Sequence, residues 1–547
     1  MAKAGHLTRS LWEAEAEPVA DTTVAGILAE AARRSPDTVA LVEGGTDRDR
    51  RRRFTYAQLL AEAGRVAAEL ARHFAPGERV AVWAPSLPES LVLSYGAAMA
   101  GVVLVPVNPA LRAGEVRHVL GQSGASGLFF VPEHRGHDLA ATLAGIRGDL
   151  PQLREVVDLT RMATWAAPPA TDADPVRAPD GRAPGPDDVA QIVYTSGTTG
   201  TPKGAMLTHR GMTNAARFGG ARFGVVAGDV YVHTMPLFHV GGQVVSFQLC
   251  QSSATAVLVP AFDPGIVLEL IESERATLTC GVPTMLLALM AHPDFSRRDL
   301  SSLRSVSGGG AVVPTELVRH IEQTLGVQFA IVFGQTEACG FISQTRLDDD
   351  AEDKASTLGQ PLPGVSARVV DPGSSDVVPC GSVGELEVRA PNVMAGYYAM
   401  DEETAAAIAP GGWLRTGDLV TMDPRGFLRM AGRRKEMIVS GGENIFPVEI
   451  ETALGDHPDV AQVAVVGVPD RRWGETPVAV VRLVAQSTAD GEELAAFLRL
   501  RLAPFKVPRR WVFVDELPLT ASGKVQKHVL RATLSTDGSE HAASPPR

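Results

Sequence analysis

At 547 residues the chain exceeds one ordinary compact domain, so two or more are expected. Hydrophobic residues make up 45% and charged residues 21%, enough apolar material for a large core. A formal net charge of −12 argues against a nucleic-acid partner, because binding a phosphate backbone selects a basic surface. Cys250, Cys280, Cys339 and Cys380 lie far apart and lack zinc-site spacing, which fits reduced thiols in a cytoplasmic protein. The N-terminus MAKAGHLTRSLWEAEAE mixes charges and has no apolar signal core. The apolar window 91–107 carries Ser, Gly and Pro, so no integral membrane segment is expected.

Apolar residues at helical spacing predict helices over Val24–Arg34 and 55–74. Arg79–Trp83 and 102–107 read as buried strands around a helix at 87–100, the alternation of a parallel sheet covered by helices. The charged run 47–53 reads as a solvated loop, and so does the acidic run 348–353. Residues 166–188, rich in Pro, Asp and Ala, form a linker or loop. A second block follows, with strands near 191–194, 230–234, 256–258 and 276–280. From about Lys435 a separate unit begins. Its helices are expected at 446–453, 492–502 and 527–534, and its strands at 460–468, 477–483 and 510–514. The tail 536–547 is small and polar and is expected to be disordered.

The segment YTSGTTGTPKGAMLT at 194–208 carries the most chemistry. Glycines let backbone N–H groups approach an anion, hydroxyls donate to phosphate oxygens, and Lys203 adds a positive charge. It is not the common P-loop, in which Ser or Thr follows the lysine to hold magnesium; Gly204 follows here.

With the next residue, His209, this segment resembles the phosphate-binding signature of the adenylate-forming superfamily, in particular its acyl-CoA synthetases. Further segments resemble that family in its order: PLFHVGG from Pro236, SGGGA from Ser307, FGQTE from Phe333, WLRTGD from Trp413, GRRKEMIVSGGENI from Gly432 and PLTASGKVQK from Pro518. The resemblance implies an α/β fold, with a large N-terminal domain of stacked sheets (1–432) and a small mobile α+β C-terminal domain (433–535). It implies ATP-dependent ligation of a carboxylic acid to coenzyme A through an acyl-adenylate, with Mg²⁺.

The roles it implies are specific. Thr195, Ser196, Gly197, Thr198, Thr199, Gly200 and Lys203 would cradle phosphates. Gly309, Gly310 and Ala311 would form a shelf for adenine, with Phe333 and Gly334 beside it. Glu337 would ligate Mg²⁺, a hard cation suited to a carboxylate, and Thr336 would contact phosphate. Asp418 would accept from the ribose hydroxyls, and Arg433 would support the nucleotide. Lys524 would be the principal catalytic residue, its ammonium stabilising charge as carboxylate and α-phosphate meet. Lys435 would be the hinge, and Ser440, Gly441 and Gly442 would help form the coenzyme A tunnel. His239, Val282, Gly309, Phe333 and Phe341 would line the acid pocket.

Phe333 stands where the family usually has Tyr, and Ile331–Val332 replace the Gln-Gly of plant phenylpropanoid ligases, which speaks against a hydroxycinnamate specialist. The segment 108–130 and the small residues of SGGGA favour a medium-chain or longer fatty acid, the glycines leaving room for a chain. Alternatives are an aryl acid, transfer to a carrier protein in trans or to another nucleophile, and a nucleotide-binding relative without activity. A homodimer is left open.

Overall fold

The computed structural model describes residues 7–14, 18–45, 48–166, 183–195, 202–311, 313–440, 443–470, 472–519 and 525–540. Within them the chain builds a large α/β unit and a small α+β unit. A seven-stranded sheet runs in the order Gly396–Tyr397, Lys203–Thr208, Val189–Thr195, Val103–Val107, Arg79–Trp83, Gly127–Phe130, Glu155–Asp158. From Val189–Thr195 to Glu155–Asp158 its strands are parallel, and Val103–Val107 is buried throughout, as a sheet with helices on both faces requires. A nine-stranded sheet carries the parallel set Gln328–Phe333, Ser305–Gly309, Leu278–Gly281, Val230–His233, Thr255–Leu258 and Val39–Glu43. A six-stranded antiparallel sheet holds Trp413–Met422 and Leu428–Arg433.

The three helices expected in the large unit form, at Val24–Arg34, Tyr56–His73 and Pro88–Ala100. Tyr56–His73 starts at a capping box, Thr55 with Gln58, and buries Leu59, Ala63, Val66 and Leu70 along one stripe. Pro88–Ala100 opens on a proline and stops at Gly101, left-handed at φ +70°, a conformation that favours glycine.

The small unit is a five-stranded sheet of Glu443–Ile445, Ile438–Ser440, Gly474–Leu483, Val460–Asp470 and Arg510–Phe513. It has its own core: Ile438, Ile450, Leu454, Val465, Val481, Leu494 and Leu498 on one face, and Val466, Val478, Leu530 and Leu534 on the other. Each such buried side chain contributes about 1.5–3 kcal/mol.

Three readings of the sequence need correction. The described part of the run, 48–53, is exposed as expected except at Arg51, which is 8% exposed and bonds Ser273 and Glu274 at 2.8 and 2.9 Å, and Glu269 as well. Its neighbours are fixed too, Arg52 on Glu43 and Glu89, and Arg53 on Glu274. The acidic run 348–353 leads into the helix Ala351–Ser356, and Asp353, 5% exposed, takes a two-pronged ion pair from Arg425 at 2.7 and 2.8 Å. A one-dimensional charge run does not reveal partners hundreds of residues away. The last helix runs over Lys527–Glu540, past the expected start of the tail, and 541–547 lie outside the described residues. Most of the 166–188 linker, 167–182, also lies outside them.

Candidate active site

Parallel strands deliver their carboxyl ends to one edge, where crevices form in α/β sheets. Gly281 pairs with Gly308, and Gly309 with Val332, so Val282, Gly309, Gly310 and Phe333 line up along that edge from three distant segments. Gly310 takes φ +75° just past its strand, and Ala311 beside it is exposed. Immediately after Phe333 the chain turns at Gly334, where a Cβ would lie 2.2 Å from the carbonyl oxygen of Gly340. Only glycine permits that approach. The tightened loop sets Thr336 and Glu337 on a short 3₁₀ turn, Thr336–Ala338.

Glu337 is held from two sides. Its carbonyl accepts from Met394 N–H at 2.8 Å, and its Oε1 accepts from the Tyr397 hydroxyl at 2.8 Å. Tyr397 lies on a short strand paired with Lys203–Thr208, and Lys203 Nζ stands 5.3 Å from the centre of its ring. One tyrosine therefore couples the carboxylate to the lysine. Burial first, and then the charge of Glu337, push its phenol well above the ordinary value, so it remains a donor. The sequence reading missed Tyr397; its only signal was an aromatic pair, Tyr397–Tyr398, in a glycine-flanked turn.

Thr195 and Lys203 face each other across the mouth of a hairpin, Val189–Thr195 against Lys203–Thr208. Ser196, Gly197, Thr198, Thr199 and Gly200 lie outside the described residues. The hairpin is braced from behind: His118 Nε2 lies 3.0 Å from the Pro202 carbonyl, and the Tyr194 hydroxyl donates to Gln122.

Asp418 is 2% exposed and lies opposite Arg433 in the antiparallel register, with Arg433 Nε 3.0 Å from Oδ1. The two are close enough to attract as ions, yet no described group makes a well-directed hydrogen bond to that oxygen, which keeps its acceptor capacity. Burial raises the Asp418 carboxyl above its ordinary value, and the Arg433 charge opposes the shift. Lys435 is lowered, first by burial and then by the neighbouring charges of Lys203 and Arg433. Three cations thus gather beside Glu337 and Asp418.

On the acid side, His239 is the cap residue of the helix Val240–Ser252, half-buried, with Phe238 at 4.8 Å between ring centres. The start of that helix abuts the Glu337 loop: a Cβ on Gly340 would meet Val240 at 3.4 Å. Phe341 is packed against Gly219, and Asn392, another residue missed from sequence, ties the Ala338 and Phe341 carbonyls at 2.8 and 2.7 Å. At Gly308 and Gly309 the expectation that the SGGGA glycines leave room for a chain fails. A Cβ on Gly309 would lie 2.3 Å from the Val332 carbonyl oxygen, and one on Gly308 2.6 Å from the Phe329 ring. Backbone and core fill that space. Ile331 is likewise a core residue, 5% exposed.

In the small unit Ser440 is buried and pairs with Glu443 and Gly474, while Gly441 and Gly442 lie outside the described residues. So does Lys524. The residues flanking it are fixed: Leu519 bridges Val525, and Gln526 N–H donates to the Pro518 carbonyl at 2.8 Å.

As for a metal, Glu337 offers one hard carboxylate oxygen beyond the one bonded to Tyr397. That suits Mg²⁺, which keeps phosphate and water as its other ligands. Among the described residues one group could supply three ligands, His457, Asp459 and Glu493 in the small unit, but the Asp459 N–H already occupies His457 Nδ1 at 3.2 Å. No helix among the described residues is long and apolar enough to cross a membrane.

Comparison with known proteins agrees with this geometry. Residues 28–398 match the AMP-binding enzyme family and residues 449–524 its C-terminal domain. A feruloyl-CoA synthase of Amycolatopsis sp is 40% identical, over 91% of this chain and 96% of its own length. The mitochondrial medium-chain acyl-CoA ligase of Rattus norvegicus is 34% identical, over 88% of this chain and 83% of its own. Among solved structures, ATP-bound MatB from Rhodopseudomonas palustris superposes with a TM-score of 0.84 at 32% identity, over 94% of this chain and 99% of its own.

Proposed function

The chain belongs to the AMP-binding enzyme family, and from that premise we propose that it activates an aryl-bearing carboxylic acid with ATP and passes the acyl group to coenzyme A. The observation that carries the reading is the junction at Tyr397, where a carboxylate and a lysine from distant segments meet beside the Asp418–Arg433 pair.

In the first step a carboxylate oxygen attacks the α-phosphorus of ATP, the bond to pyrophosphate breaks, and an acyl-adenylate forms. Lys203, Thr195 and the 196–201 loop hold the phosphates. Gly309, Gly310, Ala311, Phe333 and Gly334 face adenine, and Asp418 accepts from ribose with Arg433 beside it. Thr336 donates to phosphate. The second oxygen of Glu337 would hold Mg²⁺, which would supply neutralisation of triphosphate charge. Lys524 offsets the charge that gathers as two anions meet. In the second step the coenzyme A thiol attacks the acyl carbonyl, AMP leaves, and Ser440, Gly441 and Gly442 line the approach.

Lys435 is the hinge between a nucleotide-binding domain, 1–432, and a mobile domain, 433–535. The change of partners across it supports this. Arg433 and Arg434 pair with Asp418 and Glu385 of the large unit, and Glu436 pairs with Lys527 of the small one.

The preference for an aryl acid rests on two points. The space expected for a chain at Gly308 and Gly309 is filled, and the relative named for feruloyl-CoA is more similar than the one named for medium-chain acids. His239, Val282, Phe333 and Phe341 form the pocket. The test is AMP and thioester formation with ferulate, indoleacetate, octanoate and palmitate, each with and without coenzyme A. Coenzyme A-dependent thioester from the aryl acids is expected, ferulate included, which would set aside the reading that Ile331–Val332 speak against a hydroxycinnamate. A preference for octanoate or palmitate would sink the aryl assignment, and pyrophosphate release without thioester would move the acceptor to a carrier protein.

A further inference from the structure

We infer that Lys527 is a positioning residue for adenylation, a strut that ties the chain just after Lys524 to the residue just past the hinge. The inference rests on the reading of Lys524 and Lys435 given above.

Lys527 Nζ lies 2.8 Å from Glu436 Oε2 and 2.8 Å from Glu451 Oε1. Glu436 follows Lys435 directly. Glu451 belongs to the helix Pro447–Gly455, and its Oε1 also accepts from Val465 N–H at 2.6 Å, in a long strand of the small sheet. On its other side Lys527 opens the helix whose Leu530 and Leu534 pack into the small unit, and it directly follows Gln526, which bonds the Pro518 and Leu519 carbonyls. One ammonium therefore joins the post-hinge residue, the sheet and the chain just after Lys524.

This is more than a solvated surface pair, which contributes little. Lys527 is 22% exposed and lies between two carboxylates that are themselves 33% and 19% exposed. Burial works against its charge, and Glu451 and Glu436 together overcome that and hold it above the ordinary lysine range. Removing the ammonium leaves those carboxylates facing each other without a counter-charge. Their repulsion pushes the post-hinge residue away from the small unit, so rotation at Lys435 no longer fixes where Lys524 arrives. A strut of this kind matters only when Lys524 must meet the α-phosphate.

The test separates the half-reactions. Purified full-length K527M, K527R, K527M/E436Q and K524A are assayed for acid-dependent pyrophosphate release with ferulate and with octanoate, and for thioester formation from feruloyl-AMP and octanoyl-AMP. K527M is expected to slow pyrophosphate release by about tenfold to a hundredfold, the scale of a displacement of about 1 Å. Thioester formation should stay within about threefold, since that step does not use Lys524. K527R should restore the rate, and E436Q in the K527M background should recover part of it by removing the repulsion. Hydrogen exchange, which needs no acid, should quicken at 518–526 in K527M and stay unchanged in Val460–Asp470. Equal losses in both half-reactions, a K527M as fast as wild type beside an inactive K524A, or unchanged exchange at 518–526 would each overturn the inference. A K524A that still releases pyrophosphate would instead overturn the role given to Lys524.

Discussion

Replacing Tyr397 with Phe removes one oxygen and little else. The ring stays over Lys203, 5.3 Å from Nζ, and the pairing of its short strand with Lys203–Thr208 is unaffected. What is lost is the 2.8 Å bond to Glu337 Oε1. A hydrogen bond to a charged group contributes about 1.5–3 kcal/mol, and a partly open cleft places this one near the lower end. Expressed in the adenylation transition state, about 1.4 kcal/mol is tenfold in rate. Y397F is therefore expected to slow acid-dependent pyrophosphate release about tenfold and to raise the Mg²⁺ concentration needed for half-maximal rate, because the carboxylate is no longer aimed. Y397A also removes the ring beside Lys203 and should lose at least another factor of about three. The assay is single-turnover pyrophosphate release across a Mg²⁺ titration, with thioester formation from a preformed adenylate as control. Wild-type rates in both variants would refute the coupling of Glu337 and Lys203 through Tyr397.

Gly309→Val should not shorten or lengthen the accepted acid, because its Cβ meets the Val332 carbonyl at 2.3 Å; the expected outcome is a loss of about 3 kcal/mol or more in a urea melt. Arg51→Met leaves Glu269 and Glu274 facing each other near the core, so stability should fall by about 3 kcal/mol while kcat of the folded fraction is unchanged. Asp418 must be ionised to accept two hydroxyls, and its carboxyl is raised by burial. KM for ATP should therefore climb as pH falls through that raised value, sooner than for an ordinary Asp, and Asp418→Asn should flatten the profile. His209 and His233 are buried and lowered to about 4 from 6.5. The unfolded chain then binds protons that the folded one does not, so urea-melt stability should drop as pH falls from 6.5 toward 4, and more shallowly in His209→Gln.

How far the fold could be read from the sequence depended on the range of the interaction. Tyr56–His73 is set by local period and caps, so its limits fell within a residue of expectation. Among the parallel strands, those near 79–83, 102–107, 191–194, 230–234, 256–258 and 276–280 were read, whereas Val39–Glu43, Gly127–Phe130, Glu155–Asp158, Ser305–Gly309 and Gln328–Phe333 were not. What also failed were charges. Arg51 and Asp353 looked solvated because their neighbours in sequence are charged, while their partners Glu274 and Arg425 come from far along the chain. An ion pair of that kind has no period and no spacing to betray it.

The site divides along the same line. Gly334 and Glu337 were named because FGQTE is a short contiguous segment that resembles the family's, and a contiguous segment can be matched from sequence alone. Tyr397 was not, although it joins Glu337 to Lys203, because its role exists only once the strand Gly396–Tyr397 pairs with Lys203–Thr208. The glycines of SGGGA show the converse error. Absent side chains were taken as space for substrate, but parallel pairing at Gly309–Val332 brings a neighbouring backbone into that space. A glycine in a strand marks a close approach, and only the register tells whether a ligand or the protein itself approaches. At Gly309 it is the protein, so chain-length selection has to be sought in side chains that face the cleft. His239, proposed to line the acid pocket and preceding the helix that abuts the Glu337 loop, is the first to vary.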